Sequence, residues 1–405
     1  MRLFSALALR PFALLWTGRT ISIIGDGIYL IALSWWVIAT TSSAAATGLI
    51  LICDTIPMLL FLLVGGVVVD RAPRRTLLLF SDLARGLLIG IVAFLAWRHL
   101  LALWQLAALS ALFGLVRAFS YPAYNSFLPQ ITSTEALPSA NALSRLSAEA
   151  TGILGPVLGG IIVAAGGTPL AFALDGVSFF ISAGCIFAIP TILTSTSVPE
   201  SPRKAGALSD LREGFATVVR SPWLWITIAI AGVSNITFAG PLEAALPLLV
   251  RQDLGANVGI YALLNALSAI GALAAAAVLG QAGKLRRRGL LAYSAWLVAA
   301  GALLAMGLPI GVFGVGLAIL LCGAGIAVLE LIWTHTLQQL VPPDRLGRVS
   351  SIDALGSFAL LPVGYGLAGL AADHLGAAHV FVLGGALCVG IIALGLLHPA
   401  IRRLD

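Results

Sequence analysis

Charged residues are scarce in this sequence, because Asp, Glu, Lys and Arg together make up only 10% of its 405 residues. Soluble globular proteins carry roughly 25%. Hydrophobic residues reach 60%, and the mean hydropathy is +1.03. A chain with so few charges is unable to cover a water-facing surface. This excludes a soluble globular protein and predicts one that crosses a lipid bilayer many times.

Motifs of enzymes are also missing. The four cysteines lie inside apolar runs and form no CxxC pair, which argues against a disulfide framework and against a zinc site. The sequence has no Gly-x-x-x-x-Gly-Lys-Ser/Thr loop for a nucleotide phosphate, and no pattern typical of a catalytic triad or a metal cluster. We therefore expect a protein that is not an enzyme and that holds no metal or cofactor.

Long apolar runs fill most of the chain, and each is near the ~20 residues that a bilayer core requires. The runs are too long and too continuous for barrel strands, so their backbone groups must be satisfied within helices. We predict an all-α polytopic membrane protein with twelve transmembrane helices. The predicted spans are 12–40, 45–69, 76–97, 101–127, 141–165, 169–190, 222–250, 257–281, 289–308, 311–339, 349–372 and 377–399.

The longest polar stretch, residues 191–221, divides these spans into six and six. We expect an N-terminal six-helix bundle at 1–190, a cytoplasmic linker at 191–221 and a C-terminal six-helix bundle at 222–405. Two weak internal matches support duplicated halves. Arg10–Trp16 matches Ser221–Trp225 when shifted by 211, and Gln130–Leu137 matches Gln339–Leu346 when shifted by 209. Such pseudo-symmetric repeats usually frame a binding site near the bilayer midplane.

Lysine and arginine are distributed unevenly among the loops. Seventeen of the 23 lie in the termini or in the loops around 70–75, 191–221, 282–288 and 340–348, all on one side of the predicted membrane. Cytoplasmic loops carry such an excess, so we predict that both termini are cytoplasmic. The net charge of +6 therefore reflects membrane topology, and we expect no nucleic-acid partner.

A short cationic hairpin joins the second and third spans. It reads Gly66-x-x-x-Asp70-Arg71-x-x-Arg74-Arg75. With twelve spans and a polar middle loop, this hairpin resembles the major facilitator superfamily. The superfamily's signature there is Gly-x-x-x-Asp-Arg/Lys-x-Gly-Arg-Arg/Lys, and this chain has a proline in place of the second glycine. The resemblance implies a cytoplasmic gating motif formed by Gly66, Asp70, Arg71, Arg74 and Arg75.

Shorter motifs narrow the resemblance. They are Ile24-Gly25-Asp26-Gly27, Ser81-Asp82-Leu83-x-Arg85, Tyr121-Pro122-Ala123, Asn141-Ala142-Leu143, Gly155-Pro156-x-x-Gly159-Gly160 and Val341-Pro342-Pro343-x-x-x-Gly347-Arg348-Val349-Ser350-Ser351. This set is similar to the bacterial drug:proton antiporter branch that contains macrolide-efflux and enterobactin-export proteins. The resemblance implies a monomeric exporter of a small molecule, exchanged for protons, in the bacterial cytoplasmic membrane.

Ionisable residues inside the runs are few, and each costs about 2.5–3.5 kcal/mol at a bilayer centre, which makes them functional candidates. Asp26 lies in the first run, with Arg19 two turns earlier on the same helical face. Burial raises the pKa of a carboxyl, and a nearby arginine lowers it. A carboxyl that is balanced between these two effects suits the binding and release of a proton. We predict proton coupling at Asp26; the alternative is a structural hydrogen bond between helices.

Further residues are candidates for the same role. Asp54 either couples protons or caps a proline kink. Arg117 needs a buried partner, and Asp26 and Glu149 are the predicted choices. The resemblance to multidrug antiporters implies that Arg117 takes part in proton coupling. Glu330, well inside its span, is the predicted second proton site.

Other residues are predicted to line a substrate cavity, because aromatic rings with a few polar groups suit a bulky amphipathic ligand. The alternatives are interfacial anchoring for the aromatic residues, a local i, i+4 pair with Arg145 for Glu149, and a solvated position near the extracellular end for Glu243. The predicted cavity residues are Arg19, Trp35, Phe119, Tyr124, Glu149, Asn235, Phe238, Glu243 and Trp333.

Glycine and proline in the fifth run predict close helix packing and a bend. The predicted packing motif comprises Gly155, Pro156, Gly159 and Gly160. The same motif is associated with exporters in the family that the chain resembles. Asp175, in the sixth run, and Asp353, at the start of the eleventh, are expected to cap or hydrogen-bond the backbone.

The leading hypothesis is a proton-driven exporter that works by alternating access of two six-helix halves. The second is a facilitator or importer of the same fold, in which the intramembrane acids bind substrate and not protons. The third is a membrane receptor or enzyme that transports nothing. It ranks last, because the longest loop is shorter than a typical domain of about 50 residues or more.

Overall fold

The structure is a computed structural model, and it describes residues 4–190, 215–281 and 286–405. Within these ranges, the side chains of Leu63, Gly66, Val67, Asp70, Arg71, Pro343 and Asp344 are not described. Gly66, Asp70 and Arg71 of the predicted gating motif therefore lie outside the described side chains. The predicted linker 191–221 lies outside the described residues up to position 214.

Helices account for nearly all of the described residues, and none of these residues is in a strand, which confirms the predicted all-α fold. The first helices are α1 (Arg10–Thr41), α2 (Ala44–Arg71), α3 (Arg74–Trp97), α4 (Leu103–Ile131) and α5 (Leu137–Phe187). The later ones are α6 (Pro222–Gly240), α7 (Val258–Gln281), α8 (Arg288–Met306), α9 (Gly311–Leu340), α10 (Pro343–Phe358), α11 (Leu361–Leu375), α12 (Ala377–Leu397) and α13 (Pro399–Arg402). Eleven stretches of the described chain are long and apolar enough to cross a membrane.

Helix α5 is too long to cross a bilayer once. Its 51 residues extend about 77 Å at roughly 1.5 Å per residue, against a hydrocarbon core of about 30 Å. The helix breaks at Gly167, whose φ of 76° and ψ of 174° are not helical, and Pro169 follows. Essentially only glycine adopts this conformation. The break divides α5 into two spans, as the predicted segments 141–165 and 169–190 require, and eleven stretches become the predicted twelve.

Helix α6 does not continue as an α-helix through the predicted span 222–250. Beyond its last α-helical turn the chain contains two π-helical stretches, Pro241–Ala245 and Leu249–Asp253. The reason is local, because Pro241 and Pro247 have no N–H to donate to the carbonyl four residues earlier. π-helical turns of this kind occur frequently at functional sites.

The predicted span 349–372 consists of two helices, α10 and α11. Pro362 lies in the first turn of α11, where its missing N–H costs no hydrogen bond. Asp353 is predicted to begin this span, but it lies inside α10. Its carboxylate accepts a hydrogen bond of 2.9 Å from Nε1 of Trp333. The predicted backbone cap is therefore wrong, and Asp353 fixes an indole ring instead.

Packing divides the chain into two compact units. Unit 1 consists of Met1–Ser42, Leu49–Pro199 and Asn257–Ala266, and unit 2 consists of Ser43–Gly48, Glu200–Ala256 and Leu267–Asp405. Helices α2 and α7 each contribute residues to both units. The units differ from the predicted bundles by these two short segments, and the bundle boundaries at 190 and 222 stay a prediction.

In unit 1, α1 and α3 pack against α5. The backbones of α1 and α5 approach closely at two glycines, since a Cβ at Gly27 would lie 2.8 Å from Cα of Gly155. A Cβ at Gly160 would collide with Ala262 of α7. Small residues allow such close approach, which holds the polar side chains of α1 beside those of α5.

In unit 2, α8 packs against α9 and α12, and α6 packs against α11 and α12. A glycine again marks one contact: a Cβ at Gly364 of α11 would lie 2.9 Å from Cα of Ile236 in α6. An apolar cluster that includes Leu224, Ile228 and Leu337 fills the core at the beginning of α6.

Candidate functional site

A buried ion pair in α3 forms part of the candidate site in unit 1. Asp82 and Arg85 are each 3% exposed and form an ion pair three residues apart on one helical face. Ser182 of α5 donates a hydrogen bond of 2.6 Å to Oδ2 of Asp82, and the Arg85 guanidinium lies 4.4 Å from the centroid of the Phe179 ring. A buried charge is tolerated where it is paired and hydrogen-bonded in this way. Sequence reasoning missed this pair as a site, although an acid and an arginine inside one apolar run are the signal that would have found it.

Asp26 of α1 lies half-buried near the same charges. Its carboxyl interacts electrostatically with Arg85, Arg19 and Arg117. Among the described residues of unit 1, the ion pairs are those of Arg85 and Arg117 with other acids, so Asp26 has no direct arginine partner. The guanidinium of Arg19 instead lies over the ring of Tyr124, 5.3 Å from its centroid. Asp26 is thus a carboxyl in a field of cations, without a fixed counter-ion.

A second ion pair joins α4 to α2. A terminal nitrogen of Arg117 lies 2.7 Å from Oδ2 of Asp54, and the two side chains are 39% and 21% exposed. A Cβ at Gly114 would collide with the carbonyl oxygen of Asp54, so the two helices touch at this level and hold the pair together. The predicted direct partners of Arg117, Asp26 and Glu149, are therefore wrong. The spacing of residues in the sequence does not reveal the contact at Gly114 that brings α2 close to α4.

Asp175 of α5 is a second carboxyl beside α1. Its side chain is completely buried, and a Cβ at Gly25 would collide with its Oδ1 and with Oγ of Ser178. The Ser178 hydroxyl lies 2.7 Å from the carbonyl oxygen of Asp175 and 3.3 Å from its Oδ1. Oδ2 has no hydrogen-bond partner among the described residues. The predicted capping role is wrong, because the backbone contact is made by Ser178 and the carboxyl points at α1.

The predicted cavity residues of unit 2 have mostly structural contacts. Nδ2 of Asn235 donates a hydrogen bond of 2.7 Å to a backbone carbonyl of α10, and Phe238 is buried. Trp333 packs edge-on against Trp223 with ring centroids 5.6 Å apart. Glu243 differs from these residues, because its side chain is exposed on a π-helical turn inside the span.

The other predicted residues are spread over several helices. Glu330 lies on an exposed face of α9, and Phe119 is half-buried in α4. Trp35 stacks on an aromatic ring of α7, with centroids 6.3 Å apart. Glu149 is exposed, and no ion pair joins it to Arg145 in the described part of the chain. The i, i+4 pair considered for Glu149 is therefore not formed.

Two arginines of the predicted gating motif have described side chains. Arg75 donates hydrogen bonds to the carbonyl oxygens of Ile186, at 3.2 Å, and of Phe187, at 2.7 Å. Its guanidinium also lies 5.8 Å from the centroid of the Phe187 ring. A cation at a helix C-terminus satisfies the last carbonyls and complements the helix dipole. Arg75 therefore joins the beginning of α3 to the end of α5, and Arg74 beside it is half-buried.

Comparison with known proteins gives one family and several relatives. The family model described as Major Facilitator Superfamily matches residues 15–360. Macrolide efflux protein A of Streptococcus pyogenes is 24% identical over 405 residues, covering 97% of this chain and 97% of that protein. The enterobactin exporter EntS of Salmonella typhi is 27% identical over 366 residues, covering 86% and 84%. The uncharacterized MFS-type transporter YfiS of Bacillus subtilis (strain 168) is 26% identical over 394 residues, covering 93% and 90%.

Solved structures share the fold at low sequence identity. A bacterial homologue of the iron transporter ferroportin, in an inward-facing crystal structure, matches with a TM-score of 0.74 and 16% identity, over 96% of this chain and 99% of that one. A POT family transporter in complex with a thioalcohol-conjugated peptide matches with a TM-score of 0.75 and 12% identity, over 96% of both chains. Identities this low establish the fold alone.

Proposed function

Because the chain belongs to the major facilitator superfamily, we propose that it is a secondary active exporter that moves a small amphipathic molecule out of the cytoplasm in exchange for protons. The family match confirms the resemblance drawn from the sequence, and the chain is a multi-pass membrane transporter. One observation carries the proposal of export: the similarity to macrolide efflux protein A extends over 97% of both chains.

Proton exchange is supported by the charges inside the spans of unit 1. Asp26 and the Asp54–Arg117 pair lie in helices that are otherwise apolar, where charged side chains mark proton and substrate pathways. The Asp54–Arg117 pair is partly exposed. We assign Glu330, on the exposed face of α9, as a second proton carrier.

An amphipathic substrate is supported by the aromatic residues of the predicted cavity. Tyr124 offers a ring beside Arg19 in unit 1, Trp35 offers one that stacks on Tyr261, and Trp333 offers one in unit 2. A macrolide or a catecholate siderophore combines an apolar body with several polar groups, which fits such a surface. The proposed arrangement is a monomer in the bacterial cytoplasmic membrane. Both termini are cytoplasmic, and the bundles at 1–190 and 222–405 alternate around the substrate.

The test is efflux from bacterial cells that lack their own pumps. Cells that express the chain should retain less of a macrolide such as erythromycin, or secrete more enterobactin, than cells with an empty vector. An uncoupler that collapses the proton gradient should abolish the difference. A difference that persists with the uncoupler would exclude proton exchange. Equal retention and secretion by cells with and without the inserted protein would exclude export of these two classes.

Two substitutions test the assignment of the proton carriers. Asp26→Asn and Glu330→Gln should each reduce efflux that depends on the gradient, because neither amide releases a proton at physiological pH. Glu135→Gln is a control outside the proposed pathway, since Glu135 is exposed in the turn between α4 and α5. Unchanged efflux by both test variants would remove Asp26 and Glu330 from the mechanism.

A further inference from the structure

The completely buried carboxyl of Asp175, which contacts α1 at Gly25 and interacts electrostatically with Asp26, has no role in the site described so far. Oδ2 of Asp175 has no hydrogen-bond partner among the described residues. Oγ of Ser178 has one hydrogen to donate, and this oxygen lies nearer to the backbone carbonyl oxygen of Asp175 than to its Oδ1. An ionised carboxylate in this place has few hydrogen bonds to stabilise it, so its charge must be balanced by nearby cations or by a bound proton.

The charges around Asp26 do not balance. Its electrostatic neighbourhood contains four carboxyl groups, of Asp26, Asp54, Asp82 and Asp175, and three guanidinium groups, of Arg19, Arg85 and Arg117. Two of the carboxyls are used in ion pairs with Arg85 and Arg117. Asp26 and Asp175 are left with Arg19 alone. One negative charge is therefore in excess, inside helices that offer it little solvation.

A bound proton neutralises this excess better than a metal ion does. The carboxyl of Asp175 lies so close to α1 that a Cβ at Gly25 would already collide with it, which leaves no space there for a coordinated cation. Among the described residues, no group of three or more His, Cys, Asp or Glu side chains could hold a metal. Two neighbouring carboxyls commonly share one proton, because both cannot ionise together.

We infer that Asp26 and Asp175 hold one proton between them and that this is the proton exchanged during transport. The inference rests on the proposed function and adds a residue to it. On release, one carboxylic acid becomes a carboxylate and its proton passes to water. The cluster then has one negative charge in excess, because Arg19, which is in no ion pair within the described chain, already balances the other carboxylate of the pair. Rebinding reverses both steps.

The internal repeat argues against a purely structural role for the two acids. Asp26 shifted by 211 is Thr237, and Asp175 shifted by 209 is Gly384. A Cβ at Gly384 would lie 2.6 Å from the carbonyl oxygen of Thr237, so these two positions also meet in unit 2. Helices of the same kind thus pack there without any carboxyl. The acid pair is an addition in unit 1 and not a requirement of the helix contact.

Infrared spectroscopy of the purified protein in lipid nanodiscs at neutral pH tests the shared proton without any substrate. The C=O stretching band of protonated carboxyls, identified by its shift in deuterium oxide, should lose one carboxyl in Asp175→Asn. It should lose one carboxyl in Asp26→Asn as well, because three carboxyls then face three guanidiniums and all of them ionise. Arg19→Gln should gain one, since four carboxyls then face two guanidiniums. Asp373→Asn, which removes a carboxyl outside the cluster, should leave the band unchanged.

Each outcome decides the inference. An unchanged band in Asp175→Asn shows that Asp175 is ionised and overturns it. An unchanged band in Asp26→Asn shows that Asp175 keeps its proton alone, which overturns the sharing. If Asp175→Asn does not fold, the Asp26→Asn and Arg19→Gln spectra decide. If Asp175→Asn still shows efflux that depends on the proton gradient, the inference is refuted and the proposed function stands. If the spectra are as expected but efflux does not depend on the proton gradient, only the proposed function is refuted.

Discussion

Unit 1 contains every buried charged side chain of the described residues, and unit 2 contains none. Asp82, Arg85 and Asp175 are buried in unit 1. The buried polar side chains described in unit 2 are the hydroxyls of Thr47, Thr227, Ser234 and Thr336. Buried charges demand partners and reduce stability when they lose them, whereas a buried hydroxyl can bond to a backbone carbonyl of its own helix, as those of Thr227 and Thr336 do. The two units therefore differ in the chemistry of their buried side chains.

Positions related by the predicted internal repeat illustrate this difference in buried side chains. Asp82 and Arg85 shifted by 211 are Tyr293 and Trp296 of α8. Both aromatic residues are buried, and their rings pack edge-on with centroids 5.7 Å apart. The same i, i+3 spacing thus carries an ion pair in one unit and an aromatic pair in the other. An aromatic pair fills the space without the desolvation cost of two charges, so the ion pair is the arrangement that needs a functional reason.

The largest expected effect comes from removing Arg85, because Asp82 would then be a buried charge without a counter-ion. Arg85→Ala should lower the free energy of unfolding by about 3–5 kcal/mol. The measurement is thermal or denaturant unfolding of the purified protein in detergent, followed by tryptophan fluorescence. The double variant Asp82→Asn/Arg85→Met, which removes both charges, should recover most of the loss.

The matched variant in unit 2 is Tyr293→Phe. It removes only the hydroxyl that lies 3.0 Å from Oγ1 of Thr227, and should cost about 0.5–1.5 kcal/mol. Equal losses in Arg85→Ala and Tyr293→Phe would contradict the energetic contrast between the two units. No recovery in the double variant would show that the arginine stabilises α3 through its contact with Phe179 and not through charge.

A smaller loss of stability, of equal size in the two units, is expected at a close glycine contact that both units contain. Gly155 shifted by 209 is Gly364, and each meets the backbone of a neighbouring helix: Cα of Gly27 and Cα of Ile236, both 2.9 Å from the added Cβ. Gly155→Ala and Gly364→Ala should each lower stability by about 1–3 kcal/mol through overpacking. Unfolding in detergent again gives the measurement.

Gly301→Ala is the control for these glycine variants, since a Cβ at Gly301 meets nothing within 4 Å. It should be neutral or raise stability by up to about 1 kcal/mol, because alanine favours the helix. A loss confined to Gly155→Ala would show that packing as well as charge distinguishes the units. A loss in Gly301→Ala would show that alanine scanning in this protein does not report contacts.

The sequence predicted the spans well, because run length and glycine or proline punctuation act locally. The predicted gap between 165 and 169 coincides with the break at Gly167. Partners between helices were not predictable, since they depend on which backbones touch. Arg117 pairs with Asp54 because Gly114 admits α2. Asp175 was expected to cap the backbone, because no sequence pattern shows that Gly25 leaves space for its carboxyl.

The smallest effect on stability, with a large effect on transport, is expected at the exposed ion pair. Arg117 and Asp54 are 39% and 21% exposed, against 3% for each residue of the Asp82–Arg85 pair, so Asp54→Asn should lower stability by less than Arg85→Ala does. Efflux driven by an imposed pH gradient in proteoliposomes should nevertheless fall sharply, because Arg117 loses the anion that holds it on α2. Counterflow without a gradient should continue, since the helix contact at Gly114 stays. Normal gradient-driven efflux by Asp54→Asn would make this pair structural. If Asp54→Asn loses as much stability as Arg85→Ala, then the difference in exposure between the Asp54–Arg117 and Asp82–Arg85 pairs does not determine how much each pair stabilises the protein.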